Sequence, residues 1–185
     1  MISSKYDWQF ATNFTDEKFL KKAKKAGLEP AAASLLYQRG VQTEEALQEF
    51  LEPSLDQLHD PYDLHDMERA VERIRAAIEN YEQILIYGDY DADGMTSASI
   101  VKEALEQLGA ECQVYLPNRF TDGYGPNSSV YKYFIENQGI SLIITVDNGV
   151  AGLEAIELAQ SLGVDVIVTD HHSMPEELPN AYAIV

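Results

Sequence analysis

The chain has 185 residues, 45% of them hydrophobic, and a formal net charge of −18 from 31 acidic and 13 basic residues. That is enough apolar side chain for one sizeable core with a helical extension, and no run reaches the roughly 18 apolar residues of a membrane span. One cysteine, Cys112, excludes a disulfide framework, and so acidic a balance speaks against a self-sufficient nucleic-acid binder, because phosphate contacts need clustered Lys and Arg.

In chain order, the start from Met1 to Trp8 shows no apolar signal region after Lys5, which reads as cytoplasmic. Residues 16–26 predict a short helix with Lys18, Lys21, Lys22, Lys24 and Lys25 on it. A solvated face is the preferred meaning of these lysines, and a DNA-contact patch the alternative. Pro30 suits the first turn of a second helix that Gly40 closes, and Thr43 suits the cap of a third. The segment from Glu52 to Asp63, with Pro53 and Pro61, reads as a wrapped linker in which His59, and His65 just beyond, are surface residues. Met67, Ala70, Val71, Ile74, Ala77, Ile78 and Tyr81 recur at the spacing of one helix face.

Beyond residue 80 the pattern changes. Apolar runs at 84–87, 113–116, 142–146 and 164–168, and a fifth beginning near Tyr182, alternate with helix-like stretches at about 95–109, 127–138 and 150–162. Strands this uniformly apolar, separated by helices, predict an α/β domain: a parallel sheet of about five strands with helices on both faces. The expected organisation is a helical amino-terminal region, 1–80, followed by the sheet domain, 81–185. The chain stops at Ala181-Tyr182-Ala183-Ile184-Val185, which reads as a strand just entered and predicts a truncated domain.

Ligands of open α/β sheets bind at the carboxyl ends of the strands. There the sequence places Asp89-Tyr90-Asp91-Ala92-Asp93-Gly94, then Asp147-Asn148-Gly149, then Asp170-His171-His172. One aspartate after a strand is commonly a turn or cap residue. Carboxylates and imidazoles from three strands on one sheet edge are better explained by a cation that neutralises them. The first cluster imitates a calcium loop, but the twelfth position is Ile100 where that loop needs Glu, and a strand precedes it. Oxygen ligands with one or two imidazoles suit Mn²⁺ or Mg²⁺ better than zinc. Their number predicts two ions, the arrangement used in phosphoryl transfer. The helix opening at Gly94-Met95-Thr96-Ser97 offers backbone N–H groups to a phosphate. A fourth loop, from Pro117 to Asn127, carries Arg119, which either grips a substrate phosphate or is simply exposed.

In this order the three motifs resemble those of the DHH phosphoesterases. Outside them, Trp8, Arg39-Gly40, Phe50-Leu51-x-Pro53, Asp60-Pro61 and Tyr87-Gly88-Asp89-Tyr90-Asp91 are similar to the amino-terminal region of that family's single-strand DNA exonucleases. The resemblance implies a Mn²⁺- or Mg²⁺-dependent nuclease that degrades single-stranded DNA from the 5′ end in repair and recombination, inactive in this part alone. It also implies a single-strand-binding protein and a helicase as partners. Carried over by position, Asp91 binds one metal with support from Asp89, Asp93 binds the other, Asp147 bridges, and His171 completes the second. His172 contacts the scissile phosphate, and Arg119, Gly94, Thr96 and Asn148 join it on the substrate side. Two departures stand out. Tyr87 occupies a place where many members have a histidine ligand, and a further metal-binding aspartate of the family falls beyond Val185. The rival readings are a family member acting on oligoribonucleotides, cyclic dinucleotides or pyrophosphate, and a catalytically silent replication scaffold, which the intact motif positions disfavour. A plain nucleotide-binding module lacks its glycine-rich loops here.

Overall fold

A computed structural model describes residues 16–185 and shows two compact units, one ending at His59 and one spanning Asp60–Val185. Trp8 and the start of the chain lie outside the described residues.

The first unit is helical. α1 (Glu17–Lys25) begins where the Asp16 carboxylate accepts the N–H groups of Lys18 and Phe19. α2 (Pro30–Gln38) has Pro30 in its first turn, and α3 (Glu44–Leu51) is capped by the Thr43 hydroxyl, which accepts from the Ala46 N–H. Phe19, Ala23, Ala33 and Leu47 form its small core. Lys22 pairs with Glu44 at 2.6 Å, and the other lysines of α1 face solvent, as both a solvated helix face and a DNA-contact patch require. The proline-bearing segment that follows carries two short 3-10 turns, Leu55–Gln57 and Pro61–Asp63, and both His59 and His65 are exposed.

The second unit opens with α4 (Met67–Glu79) and then alternates: β1 (Gln83–Tyr87), α5 (Ala92–Gln107), β2 (Cys112–Tyr115), α6 (Ser128–Gln138), β3 (Ile140–Val146), α7 (Leu153–Ser161), β4 (Asp165–Thr169) and β5 (Ala183–Ile184). The five strands are all parallel, in the order β2-β1-β3-β4-β5. Alternate residues serve opposite faces. Leu85, Tyr87, Ile143, Val166 and Val168 pack under α6 and α7 with Tyr131, Ile156 and Ala159. Ile84, Ile86, Leu142, Ile144 and Ile167 pack under α4 and α5 with Ala70, Ala77, Ala98 and Leu105. Burial on both faces is why the strands read as unbroken apolar runs. The α4 helix, grouped with the amino-terminal helices by its sequence pattern, thus belongs to the sheet's cover. Tyr81, counted on its apolar face, falls past the helix end and is 82% exposed.

The amino edge of the sheet is tied by one arginine. Arg73 on α4 makes a forked contact to Glu82 just before β1 and a 2.6 Å contact to Asp165 at the start of β4. The Ser141 hydroxyl at the start of β3 donates to Glu82 as well. At the other edge the chain passes from β1 to β2 on one side and returns to β3 on the other. That reversal opens a crevice between the carboxyl ends of β1 and β3, where open parallel sheets bind ligands. Among the described residues no helix is long and apolar enough to cross a membrane.

Candidate metal centre

The crevice is flanked by the first two motifs. Asp89 follows β1, is 3% exposed, and accepts the Tyr90 N–H. Asp91 caps α5, its Oδ1 accepting the Gly94 N–H at 3.1 Å. It is therefore the helix cap that a lone aspartate would be, with its second oxygen still free to act as a ligand. Gly94 is required by crowding, since a Cβ there would stand 2.4 Å from the Asp89 backbone nitrogen. Asp147 ends β3 in the left-handed region at φ 62°, costly for a residue with a side chain. Its N–H donates to the Thr169 carbonyl, which fixes the turn against the end of β4. Gly149, at φ 126°, leaves room for the Thr145 and Val168 side chains that a Cβ would strike.

Two donor groups result. Ligand atoms of Asp89, Asp91 and Asp147 all lie within 4.8 Å of one another, and so do those of Asp147, His171 and His172. Asp147 belongs to both. His171 Nε2 donates to Asp147 Oδ1 at 2.8 Å, so a proton stands between two atoms that both suit a cation. Burial pushes the Asp147 carboxyl above its ordinary range; Asp91 pushes the same way, against the pull of His171. Among the described residues no Lys or Arg forms an ion pair with these three aspartates. Three clustered carboxylates, two of them buried, with only the His171 and His172 imidazoles beside them form a donor set that fits a hard divalent cation.

The other predicted residues are placed as follows. Asp93 is exposed and stands outside both donor groups, yet it lines an open depression of about 510 Å³ together with Asp147, Asp170 and His171. The Gly94 N–H is taken by Asp91, and the Thr96 hydroxyl donates to the Ala92 and Asp93 carbonyls within its own helix. Asn148 is buried, and its amide donates to the carbonyls of Tyr87 and Val146, lacing the ends of β1 and β3 together. Arg119 is exposed, its guanidinium 5.3 Å from the centre of the Tyr90 ring.

Two residues that shape the site escaped the sequence reading. Asp170, named there only as the head of its triplet, accepts from the backbone N–H groups of His171, His172 and Val150 and from His172 Nδ1 at 2.7 Å. Burial opposes ionisation of this carboxyl, but the N–H donors and the His172 ring outweigh it and hold it below the ordinary range. The bond to Asp170 in turn raises the His172 pKa. Tyr124, in the loop after β2, brings its hydroxyl to 3.2 Å from His172 Nε2 and its ring to 6.5 Å from that of Tyr90. Arg119, Tyr90, Tyr124 and His172 thus form a continuous row leading to the second donor group. A glycine-flanked tyrosine in a long loop gave no signal of this in sequence.

Comparison with known proteins agrees with the fold. Residues 83–185 match the family model described as DHH family, N-terminal domain. The chain is 42% identical over 185 residues to the single-stranded-DNA-specific exonuclease RecJ of Bacillus subtilis, covering all of this chain and 23% of that protein. It is 40% identical over 162 residues to RecJ of Escherichia coli, covering 86% of this chain and 27% of that one. The chain therefore spans about a quarter of the length of these relatives. Among solved structures, exonuclease RecJ bound to manganese aligns with a TM-score of 0.58 and 32% identity over 64% of this chain and 30% of the other. RecJ of Thermus thermophilus in complex with Mn²⁺ aligns with a TM-score of 0.61 and 26% identity over 90% of this chain and 23% of the other.

Proposed function

The chain belongs to the DHH family, and from that premise we propose that it is the metal-holding part of a longer exonuclease that hydrolyses phosphodiester bonds of single-stranded DNA from the 5′ end. The observation that carries this reading is Asp147, a buried carboxylate in a strained turn shared by both donor groups at the sheet's crevice. A residue held at that cost in backbone strain and charge repulsion marks a functional centre.

Mn²⁺ or Mg²⁺ is the proposed cofactor. Asp89, Asp91 and Asp147 would hold one ion, and Asp147, His171 and Asp93 the other, with Asp93 drawn in from the rim of the depression. When bound, such a pair supplies positive charge to both the attacking and the leaving oxygen of an in-line displacement. The chain's own groups bind and orient. Asp170 fixes the His172 ring through Nδ1 and favours its protonated form, which can donate to a phosphate oxygen. Arg119 brings a forked cation to the same side of the crevice. Gly94, Thr96 and Asn148 serve by shaping the loops, since their donors are engaged within the protein.

We assign residues 81–185 to the DHH domain and residues 1–80 to a helical region whose last helix, α4, covers one face of the sheet. Action in the cytoplasm, in repair and recombination, with a single-strand-binding protein and a helicase supplying the strand, follows from the likeness to the exonucleases. Basic groups that neutralise DNA would come from beyond this chain, given its charge of −18.

Calorimetric titration of Mn²⁺ into this chain and into Asp147→Ala tests the centre; saturable binding lost in the variant is expected. Full-length protein is then assayed on 5′-labelled single-stranded DNA, short RNA and a cyclic dinucleotide. Preference for RNA or the dinucleotide would reassign the substrate. No Mn²⁺ binding by full-length protein would point to a silent scaffold and sink the enzyme reading.

A further inference from the structure

Strands β1 and β2 end on tyrosines that are register partners, Tyr87 and Tyr115, with ring centres 5.5 Å apart. Neither hydroxyl points to the donor groups. Tyr87 is fully buried and donates to the Gly125 carbonyl at 2.9 Å. Tyr115 donates to Asp122 Oδ2 at 2.7 Å, and that oxygen also accepts the Asn118 N–H. The Asn127 amide donates to the Asp122 carbonyl, closing the loop on itself. The segment 117–127, almost devoid of regular structure, is thus bolted to the sheet at two points. Each bolt is a single hydroxyl on a ring that is otherwise packed, Tyr87 against Tyr131 and Tyr115 against Phe134. The same segment carries Arg119 and Tyr124, the two groups that reach Tyr90 and His172.

We propose that Tyr87 and Tyr115 are positioning residues of the phosphodiesterase site, their hydroxyls clamping the 117–127 loop so that Arg119 stands over Tyr90 and Tyr124 stands beside His172. This rests on the nuclease reading above and adds how its substrate side is held. It also gives Tyr87 work other than metal binding. Burial, reinforced by Tyr115 and Asp122, raises the Tyr87 pKa. Burial and the Asp122 bond push that of Tyr115 up to about 12, so both remain donors over any working range of pH.

The test uses Tyr87→Phe and Tyr115→Phe, which keep the ring packing and remove only the hydroxyl. Tryptic cleavage after Arg119, measured by mass spectrometry against cleavage after Lys132, reads the clamp without substrate. Each variant should raise the ratio about five-fold, the loss of one net hydrogen bond. In full-length protein on single-stranded DNA, each should raise KM several-fold with kcat within about two-fold and Mn²⁺ affinity unchanged. In an Arg119→Ala, Tyr124→Phe background the KM effect should vanish, because the hydroxyls act through those two side chains. Unchanged cleavage in both variants overturns the clamp. Faster cleavage with an unmoved KM, or effects that persist in the Arg119→Ala, Tyr124→Phe background, overturns the positioning role. A wild-type protein inert on DNA but with a protected Arg119 sinks the nuclease reading, and with it the positioning role, while leaving the clamp intact.

Discussion

The two edges of the sheet both gather acids, and they treat them in opposite ways. At the amino edge Glu82 and Asp165 meet Arg73, and every charge has a partner within the chain. At the carboxyl edge Asp89, Asp91 and Asp147 meet two imidazoles, His171 and His172, and among the described residues no Lys or Arg. The first arrangement is complete as it stands and ties α4 to three strand starts. The second is stable only because the surrounding turns force it, through the Asp91 cap, the left-handed Asp147 and the crowding over Gly94. Similar side chains do structural work where a cation is built in and chemical work where one must be supplied.

Substitutions at the two edges should therefore part company. Asp147→Ala should weaken Mn²⁺ binding by more than about 100-fold, beyond the cost of losing an outer partner of a metal ligand. Calorimetry on the variant and wild type measures it. Arg73→Met should leave Mn²⁺ affinity unchanged but lower stability by about 1–2 kcal/mol in urea unfolding, because it strands the half-buried Glu82 carboxylate while Asp165 is partly screened by solvent. Equal effects of the two changes on metal affinity would erase the distinction between the edges.

Asp170→Asn keeps the size of the side chain and loses the charge that holds His172. Activity of full-length protein should fall roughly 10- to 100-fold, as for other supports of reacting or ligating groups. Far-ultraviolet circular dichroism should stay unchanged. The pH dependence should differ by edge as well. The Arg73 bond holds the Glu82 pKa below its ordinary value of 4.5. The stability it confers is full above that value and is lost as pH falls through the lowered one. Glu82→Gln should remove that acid-side loss, which unfolding curves between about pH 3 and 6 would reveal. The smallest effect runs the other way. In chelator, Asp147→Asn should raise stability by about 1 kcal/mol by relieving burial of a charge beside Asp91. A loss instead would show that the carboxylate cluster is self-sufficient.

Much of this was legible in the sequence. Strand runs and helix stretches fell within a few residues of β1–β5 and α5–α7. Thr43 and Pro30 occupy the cap and first-turn positions expected of them. Asp89, Asp91, Asp147 and His171 stand at strand ends, as the apolar runs before them required. Less legible was what each side chain does. For Asn148, expected on the substrate side, the fold adds that its amide laces two strand ends. For Thr96, expected on the same side, it adds that the hydroxyl donates to a carbonyl of its own helix. Asp93, two residues from Asp91, faces the rim because α5 begins at Ala92, and two positions along a helix turn a side chain by roughly 200°.

The sequence by itself determined the elements and the ends at which the chemistry lies, because periodicity, caps and turn glycines act over a few residues. Tertiary structure alone decided which of those ends meet. His171 reaches Asp147 across 24 positions, and Tyr124 reaches His172 across 48. Both contacts depend on β1, β3 and β4 lying side by side, with the loop after β2 folded back over them. No local pattern carries that order, since burial of the strands on both faces fixes it only when the whole sheet assembles.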